Sequence, residues 1–269
     1  MRKLSRLYRT INVLSIDVAF GAVCGALFFS RLINTKASLV SLLLLAASVW
    51  VIYTIDHLCD AFRLQCPAIT ERHLFHQKHF RKLVPIISVV VLFMVPLLIL
   101  IERQVLIAGI VMAIFVILYL FILNRVRGIK ELLIAALYCI GVSVPANSYD
   151  QYTLADFLIV IQFFTVCLMN LCVFAIFEIK EDREHRFQSV ALLLGKRGTI
   201  FLLFVLLSIN TAIAFVSDNL HYSLILLFMS VCHVVMLGYE YQLRQQGRYR
   251  LVGDAIFFIP VFVLWAPGT

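Results

Sequence analysis

The chain has no glycine-rich phosphate loop, no Ser-His-Asp set and no His-Glu-x-x-His stretch. The nucleotide-loop, serine-hydrolase and zinc-protease chemistries those motifs carry are therefore not indicated. Its seven cysteines (Cys24, Cys59, Cys66, Cys139, Cys167, Cys172 and Cys232) are scattered, odd in number and free of any Cys-x-x-Cys pair. Neither a disulfide framework nor a structural zinc site is expected from them. Charge is also scarce, at 14% of 269 residues against 62% hydrophobic. A soluble domain of this size does not need so large an apolar surplus. The net charge of +8 is not gathered into a stripe, which argues against nucleic acid as a partner.

What is present is a series of apolar blocks of the length that crosses a bilayer as a helix. We count nine, near 11–30, 39–56, 84–101, 105–123, 131–147, 157–178, 199–216, 222–239 and 251–267. The first follows a basic head (Arg2, Lys3, Arg6, Arg9) and resembles a signal peptide. Many similar blocks follow it and no small-residue cleavage site is clear, so it reads as a retained first span. Only Glu102–Gln104 separates the third and fourth blocks, which predicts a tight antiparallel hairpin. Of the 23 Lys and Arg, all but Arg31, Lys36 and Arg103 fall on one side of this division. That asymmetry puts the N-terminus in the cytoplasm and Thr269 outside. The expectation is an all-α, polytopic protein of the cytoplasmic (inner) membrane, a single nine-helix bundle over 1–269. Two long cytoplasmic loops, about 57–83 and 179–198, form a partly helical cap. The outer loops are short, so chemistry faces the cytoplasm.

Acidic residues stand where they are least expected. Asp56 and Asp60, in "VIYTIDHLCDAFR", lie four apart at the end of the second block. A helix C-terminus carries partial negative charge and disfavours carboxylates. The sixth block ends "FAIFEIKEDREHR", with Glu178 and Asp182 again four apart. Asp56 to Glu178 and Asp60 to Asp182 are both intervals of 122 residues, as in an internal structural repeat. Residues i and i+4 share a helix face. Two such faces across a cavity offer four carboxylates to one spot, which a bound dication makes tolerable. Magnesium suits oxygen ligands and bridges carboxylates to substrate phosphates. The plainer alternative is that these acids pair with nearby bases such as Arg63, Lys180 and Arg183.

These motifs resemble those of the UbiA-type intramembrane prenyltransferases, and the likeness runs from "RTIN" to the ninth block. The family has nine helices and Asp-rich motifs ending the second and sixth. The first motif reads Asn-Asp-x-x-Asp-x-x-x-Asp; here the window is "IYTIDHLCD", so Asp56 and Asp60 match its last two acids. The second resembles "EIKEDREHRFQSVALLLGKRG", with Glu178 in place of the first Asp and Asp182 as the second. "NRVRGIKELL" resembles the family's basic stretch near the diphosphate. The chain departs at Ile52 and Tyr53, where the family has Asn and Asp. It departs again at Arg186, where Gly is usual, and in "ERHLFHQKHFRK", which replaces an Arg-Pro-Leu continuation.

The resemblance implies magnesium-dependent transfer of a prenyl group from a prenyl diphosphate to a lipophilic, often aromatic, acceptor within the bilayer. Asp56, Asp60, Glu178 and Asp182 would be the metal set, and Arg127, Lys130 and, more weakly, Arg63 the diphosphate contacts. Arg127 and Lys130 serve equally as positive-inside anchors. Two rival classes stay open. One is a catalytically degenerate member that binds isoprenoid lipid or scaffolds a complex, which Tyr53 favours. The other is an unrelated transporter, which would need a pathway open to both faces. His73, His76 and His79 are spaced by three and are expected on a cap helix at the interface, with lining of the site mouth second and metal binding last. Asp17 either lines the cavity or pairs with a neighbouring helix. Arg9 and Asn12 resemble a family element of the first helix. Asn170 and Asn210 are expected as interhelical hydrogen bonders. Glu240 and Asp254 are expected at cytoplasmic helix ends.

Overall fold

A computed structural model describes residues 2–63, 70–121, 129–146, 152–185 and 187–265. Within them every regular element is helical: α1 Arg2–Val13, α2 Ile16–Leu32, α3 Leu39–Arg63, α4 Glu71–Leu97, α5 Arg103–Phe121 and α6 Lys130–Ser143. The second half holds α7 Leu154–Phe177, α8 Ile179–Glu184, α9 Val190–Val216, α10 Leu220–Gly238, α11 Glu240–Arg244 and α12 Arg248–Ile256. Short 3₁₀ turns extend α4, α6 and α11, and a longer one, Ile259–Trp265, follows α12.

Six of these helices are long and apolar enough to cross a membrane, or seven when the bent pair Leu7–Val13 and Ile16–Leu32 is taken as one span. The bend of 79° falls at Leu14–Ser15, where Ser15 adopts a left-handed φ of 57°. The expected fifth and ninth spans are not single long helices. They are α6 with Val144–Ala146, and α12 with Ile259–Trp265. The Glu102 hairpin is present, with α4 and its 3₁₀ turn ending at Leu100 and α5 starting at Arg103.

Burial divides the helices into two kinds. Leucine, valine and phenylalanine stand exposed on α4 and α5 (Leu92 69%, Phe93 72%, Phe115 52%), which only a lipid solvent tolerates at this density. By contrast, α7 is apolar all round and buried along most of its length, as the central helix of a bundle must be. Around it Gln162, Thr165, Asn210, Ser223 and Ser230 close a buried polar network. Asn210 donates to Ser230 Oγ at 2.6 Å and accepts from Thr165 at 2.5 Å. Gln162 donates to the carbonyls of Asn210 and Ser223, each at 3.1 Å. Asn170 accepts from His233 Nε2 at 3.2 Å. Both asparagines thus join neighbouring helices as expected. Such bonds hold transmembrane helices together where hydrophobic contrast with the surroundings is lost.

The segment 57–83, expected to be partly helical, is helix on both sides of its undescribed middle, since α3 runs on to Arg63 and α4 begins at Glu71. Its three histidines lie on a helix, as expected, and two of them turn inward. His73 and His76 are buried, with rings 5.9 and 5.2 Å from that of His57 on α3. The reason is local: the α4 face that carries Arg72, His73 and His76 packs on α3, and Gln77 donates to the Ala61 carbonyl at 3.1 Å.

Candidate functional site

A cavity of about 190 Å³ opens between α3, α4, α5, α6, α7, α8 and α12. Asp56 and Asp60 reach it from α3, Glu178 and Asp182 from the α7–α8 junction, and Lys130 from the start of α6. The acid pairs separated by 122 residues therefore line one cavity. A smaller inner recess of about 30 Å³ shares Tyr53, Asn170 and Asp254 with it and adds Tyr138 and Phe257. Arg127 lies outside the described residues, as does the side chain of Arg63, whose backbone ends α3. Asp17 does not line the cavity. Its carboxylate accepts from Asn12 Nδ2 at 2.5 Å.

The junction that carries the second pair is built by chain geometry. Glu178 ends α7 at φ −102°, ψ 8°, which breaks the helix and starts α8. One turn on, the Asp182 amide donates to the Glu178 carbonyl at 2.8 Å, and the Asp182 backbone carbonyl accepts in turn from the Phe187 amide at 2.8 Å. The chain then enters α9 through Ser189, and the Val190 amide donates to Glu131 Oε1 at 2.7 Å. Glu131, next to Lys130, thus ties α6 to the start of α9.

Glu178 is engaged by basic and phenolic groups. Tyr249 OH donates to its Oε1 at 2.5 Å and Arg250 Nε at 2.6 Å, and Arg250 Nη2 pairs with the same oxygen. Burial alone would raise the Glu178 pKa, but the Arg250 guanidinium and the two donors hold it below the usual range. Asp182 goes the other way. Burial, then the Glu178 charge, push it up to about 6, against the lowering pull of Ser189, Lys130 and Arg250. For Lys130, burial would lower the pKa, yet Asp56, Asp60, Glu131 and Asp182 together raise it. The ammonium is thus held charged among the acids of both halves.

Among the described residues, no three of His, Cys, Asp and Glu are gathered closely enough to form a ready-made metal centre. The site residues that sequence reasoning missed are Arg250, Tyr249, His57, Arg72 and Glu131, and Asp254 was read as a helix end. All but Tyr249 line the cavity. Arg250 and Asp254, four apart on α12, carried the same i, i+4 signal as the acid pairs, but with mixed charge.

No family profile and no curated protein matches the sequence. Solved structures do match it. A UbiA homolog from Archaeoglobus fulgidus bound to GPP and Mg2+ superposes with a TM-score of 0.64 at 12% identity, over 93% of this chain and 98% of that one. A UbiA homolog from Aeropyrum pernix K1, without ligand, gives 0.63 at 14% identity, over 94% and 98%. A digeranylgeranylglyceryl phosphate synthase structure gives 0.52 at 16% identity, over 98% of each chain. At such identities the likeness is one of architecture, and it spans nearly the whole chain: this protein has the fold of the UbiA homologs.

Proposed function

We propose that this protein transfers a prenyl group from a prenyl diphosphate to a lipophilic acceptor within the membrane. The observation that carries the reading is the meeting of Asp56 and Asp60 with Glu178 and Asp182 around one cavity that also holds Lys130 and Arg250. Structures of this fold bound to GPP and to DMAPP, each with Mg2+, support the substrate class.

In this reading α6 with Val144–Ala146, and α12 with Ile259–Trp265, are two further crossings, which makes nine in a single domain. The cavity faces the cytoplasm, as does the N-terminus, and the membrane is the cytoplasmic one.

Magnesium needs only one or two carboxylates when substrate phosphates and water complete its shell. Asp56 and Asp60, on one face of α3, fit that demand, with Asp182 across the cavity. Glu178 fits it poorly, since Tyr249 and Arg250 already engage it. Bound there, the ion would neutralise charge on the departing diphosphate.

The protein's own groups do the rest. Lys130 attracts and orients the diphosphate from the cavity wall; Arg127, three residues before it in the sequence, and Arg63, three after Asp60, are proposed to assist. The bond from the allylic carbon to the diphosphate oxygen breaks, and its electron pair leaves with the diphosphate. The acceptor supplies the pair for the new bond and gives up a proton. The aromatic inner recess (Tyr53, Tyr138, Phe257) keeps water from the allylic cation and offers ring faces to its charge. Fixed charges in a water-poor cavity act strongly on such developing charge.

The second reading is a binding protein for isoprenoid lipids that has lost catalysis. The Glu178–Arg250 pair and Tyr53, a neutral phenol one turn inside Asp56, favour it. One experiment tests both. Purified protein should bind a prenyl diphosphate more tightly with magnesium than with a chelator, and form prenylated product from a suitable acceptor. Asp56→Asn and Asp182→Asn should each abolish the magnesium effect. Binding without turnover across a panel of acceptors would favour the second reading, and no binding would end both.

A further inference from the structure

We infer that the site takes a single divalent cation, on the α3 side, and that Arg250 fills the position a second cation would need. The inference rests on the prenyl-diphosphate reading above and deepens it. Its ground is the state of Glu178. For that carboxylate to hold a metal, it would have to give up the bonds from Tyr249 OH and Arg250 Nε. Breaking a partly buried, doubly hydrogen-bonded ion pair is costly because it strands both charges.

Arg250 is fixed by more than its partner. Its guanidinium lies 5.1 Å from the centre of the Phe174 ring and 5.9 Å from that of Tyr249, whose own ring stacks on Phe177 at 4.8 Å and 12°. These contacts hold the cation as a wall of the cavity. Its bonds to Glu178 use Nε and Nη2, and Nη1 makes no hydrogen bond among the described residues. A cavity-lining guanidinium with donors left over from its carboxylate partner is set to receive phosphate oxygens. It stays charged at every working pH.

Opposite, the α3 wall lacks inner ligands as well. Ile52 and Tyr53 precede Asp56, and neither an alkyl chain nor a neutral phenol serves magnesium. The i, i+4 pair Asp56 and Asp60 suffices for one ion and no more. The diphosphate is then held between one metal on α3 and two fixed cations, Lys130 and Arg250.

The test counts manganese by electron paramagnetic resonance on the full chain in nanodiscs with geranyl S-thiolodiphosphate, which resists ionisation. The expected count is one Mn2+ per bound analogue. Glu178→Gln should leave that count at one, whereas Asp60→Asn should lower it. Arg250→Met should weaken analogue binding at least tenfold, and Arg250→Lys should restore part of it if the variant folds as the parent does. Two Mn2+ per analogue in the parent protein would overturn the single-cation inference while leaving the prenyl-diphosphate reading intact. Failure of the analogue to bind, with or without Mn2+, would overturn both.

Discussion

Arg72 on α4 forms an ion pair with Asp254 on α12 at 3.4 Å, with the two side chains only 5% and 6% exposed. Asn12 joins them. Its Nδ2 donates to Asp254 at 2.7 Å and to Asp17 at 2.5 Å, while its carbonyl accepts from Arg72 at 3.0 Å. One guanidinium thus steadies two buried carboxylates from α2 and α12 and knits four helices at the inner edge of the cavity. Removing one member of a buried ion pair leaves its partner's charge unpaid, at about 3–5 kcal/mol. Arg72→Met should therefore lower the thermal unfolding midpoint in detergent sharply. Adding Asp254→Asn should recover part of the loss, since one of the two carboxylates left without Arg72 is then removed. A midpoint unchanged by Arg72→Met would show that the network contributes nothing to stability.

Gly253 lets α12 lie close enough to α7 for Arg250 and Asp254 to line the cavity. A Cβ placed there would stand 2.5 Å from the Phe174 ring and 2.8 Å from Asn170 Oδ1. Neither neighbour yields freely, because Phe174 carries Arg250 on its face and Asn170 is bonded to His233. Overpacking of this kind costs about 1–3 kcal/mol. Gly253→Ala should lower stability and weaken prenyl-diphosphate binding together. Gly109, which meets nothing within 4 Å, is the control, and Gly109→Ala should do neither. Equal behaviour of the two variants would remove Gly253 from this role.

The acid pairs were legible because each ends an apolar run at helical spacing and the two intervals agree. The membrane class was legible because lipid, like a core, demands apolar side chains, and because basic residues mark one side. What lay hidden were partners far apart in the chain. "ERHLFHQKHFRK" reads as an interfacial cap helix because Arg72, His73 and His76 are polar. They are buried because Arg72 finds Asn12 and Asp254, 60 and 182 residues away, and the two histidines find His57. Similarly, Glu178 was expected to hold metal, and its nearest claim came from Arg250, 72 residues on. The number of crossings was obscured where α6 and α12 end in 3₁₀ turns, since an apolar run does not state its helical pitch.

The raised pKa of Asp182, about 6, makes both stability and metal binding depend on pH. Burial and the neighbouring Glu178 disfavour the charged form, so the folded protein keeps this proton above the pH at which the unfolded chain loses it. Between the ordinary Asp value and about 6 the native state binds more protons. The Asp182 contribution to stability therefore falls as pH rises through that window. Without metal, Asp182→Asn should be more favourable at pH 7.5 than at pH 4.5, relative to the parent. A divalent cation needs the carboxylate deprotonated, so magnesium-dependent binding should weaken as pH drops through about 6. A magnesium effect that is flat from pH 5 to 8 in the parent would count against Asp182 as a ligand.

Lys130 provides the last test, because its ammonium and a magnesium ion would answer the same negative field. Asp56, Asp60, Glu131 and Asp182 all raise its pKa against the lowering effect of burial. In the metal-free protein it is therefore one counter-charge for the acids of both halves, beside Arg250. Lys130→Met removes that charge and so increases the repulsion among the carboxylates. The variant should unfold earlier than the parent without metal, and magnesium should raise its unfolding midpoint by more than it raises the parent's. With magnesium present, prenyl-diphosphate binding should still fall at least tenfold, since a fixed cation facing the phosphates is gone. A larger magnesium response with unchanged diphosphate affinity would make Lys130 a counter-ion for the acids alone. If magnesium shifted neither protein, the carboxylates lining this cavity would not be a magnesium site.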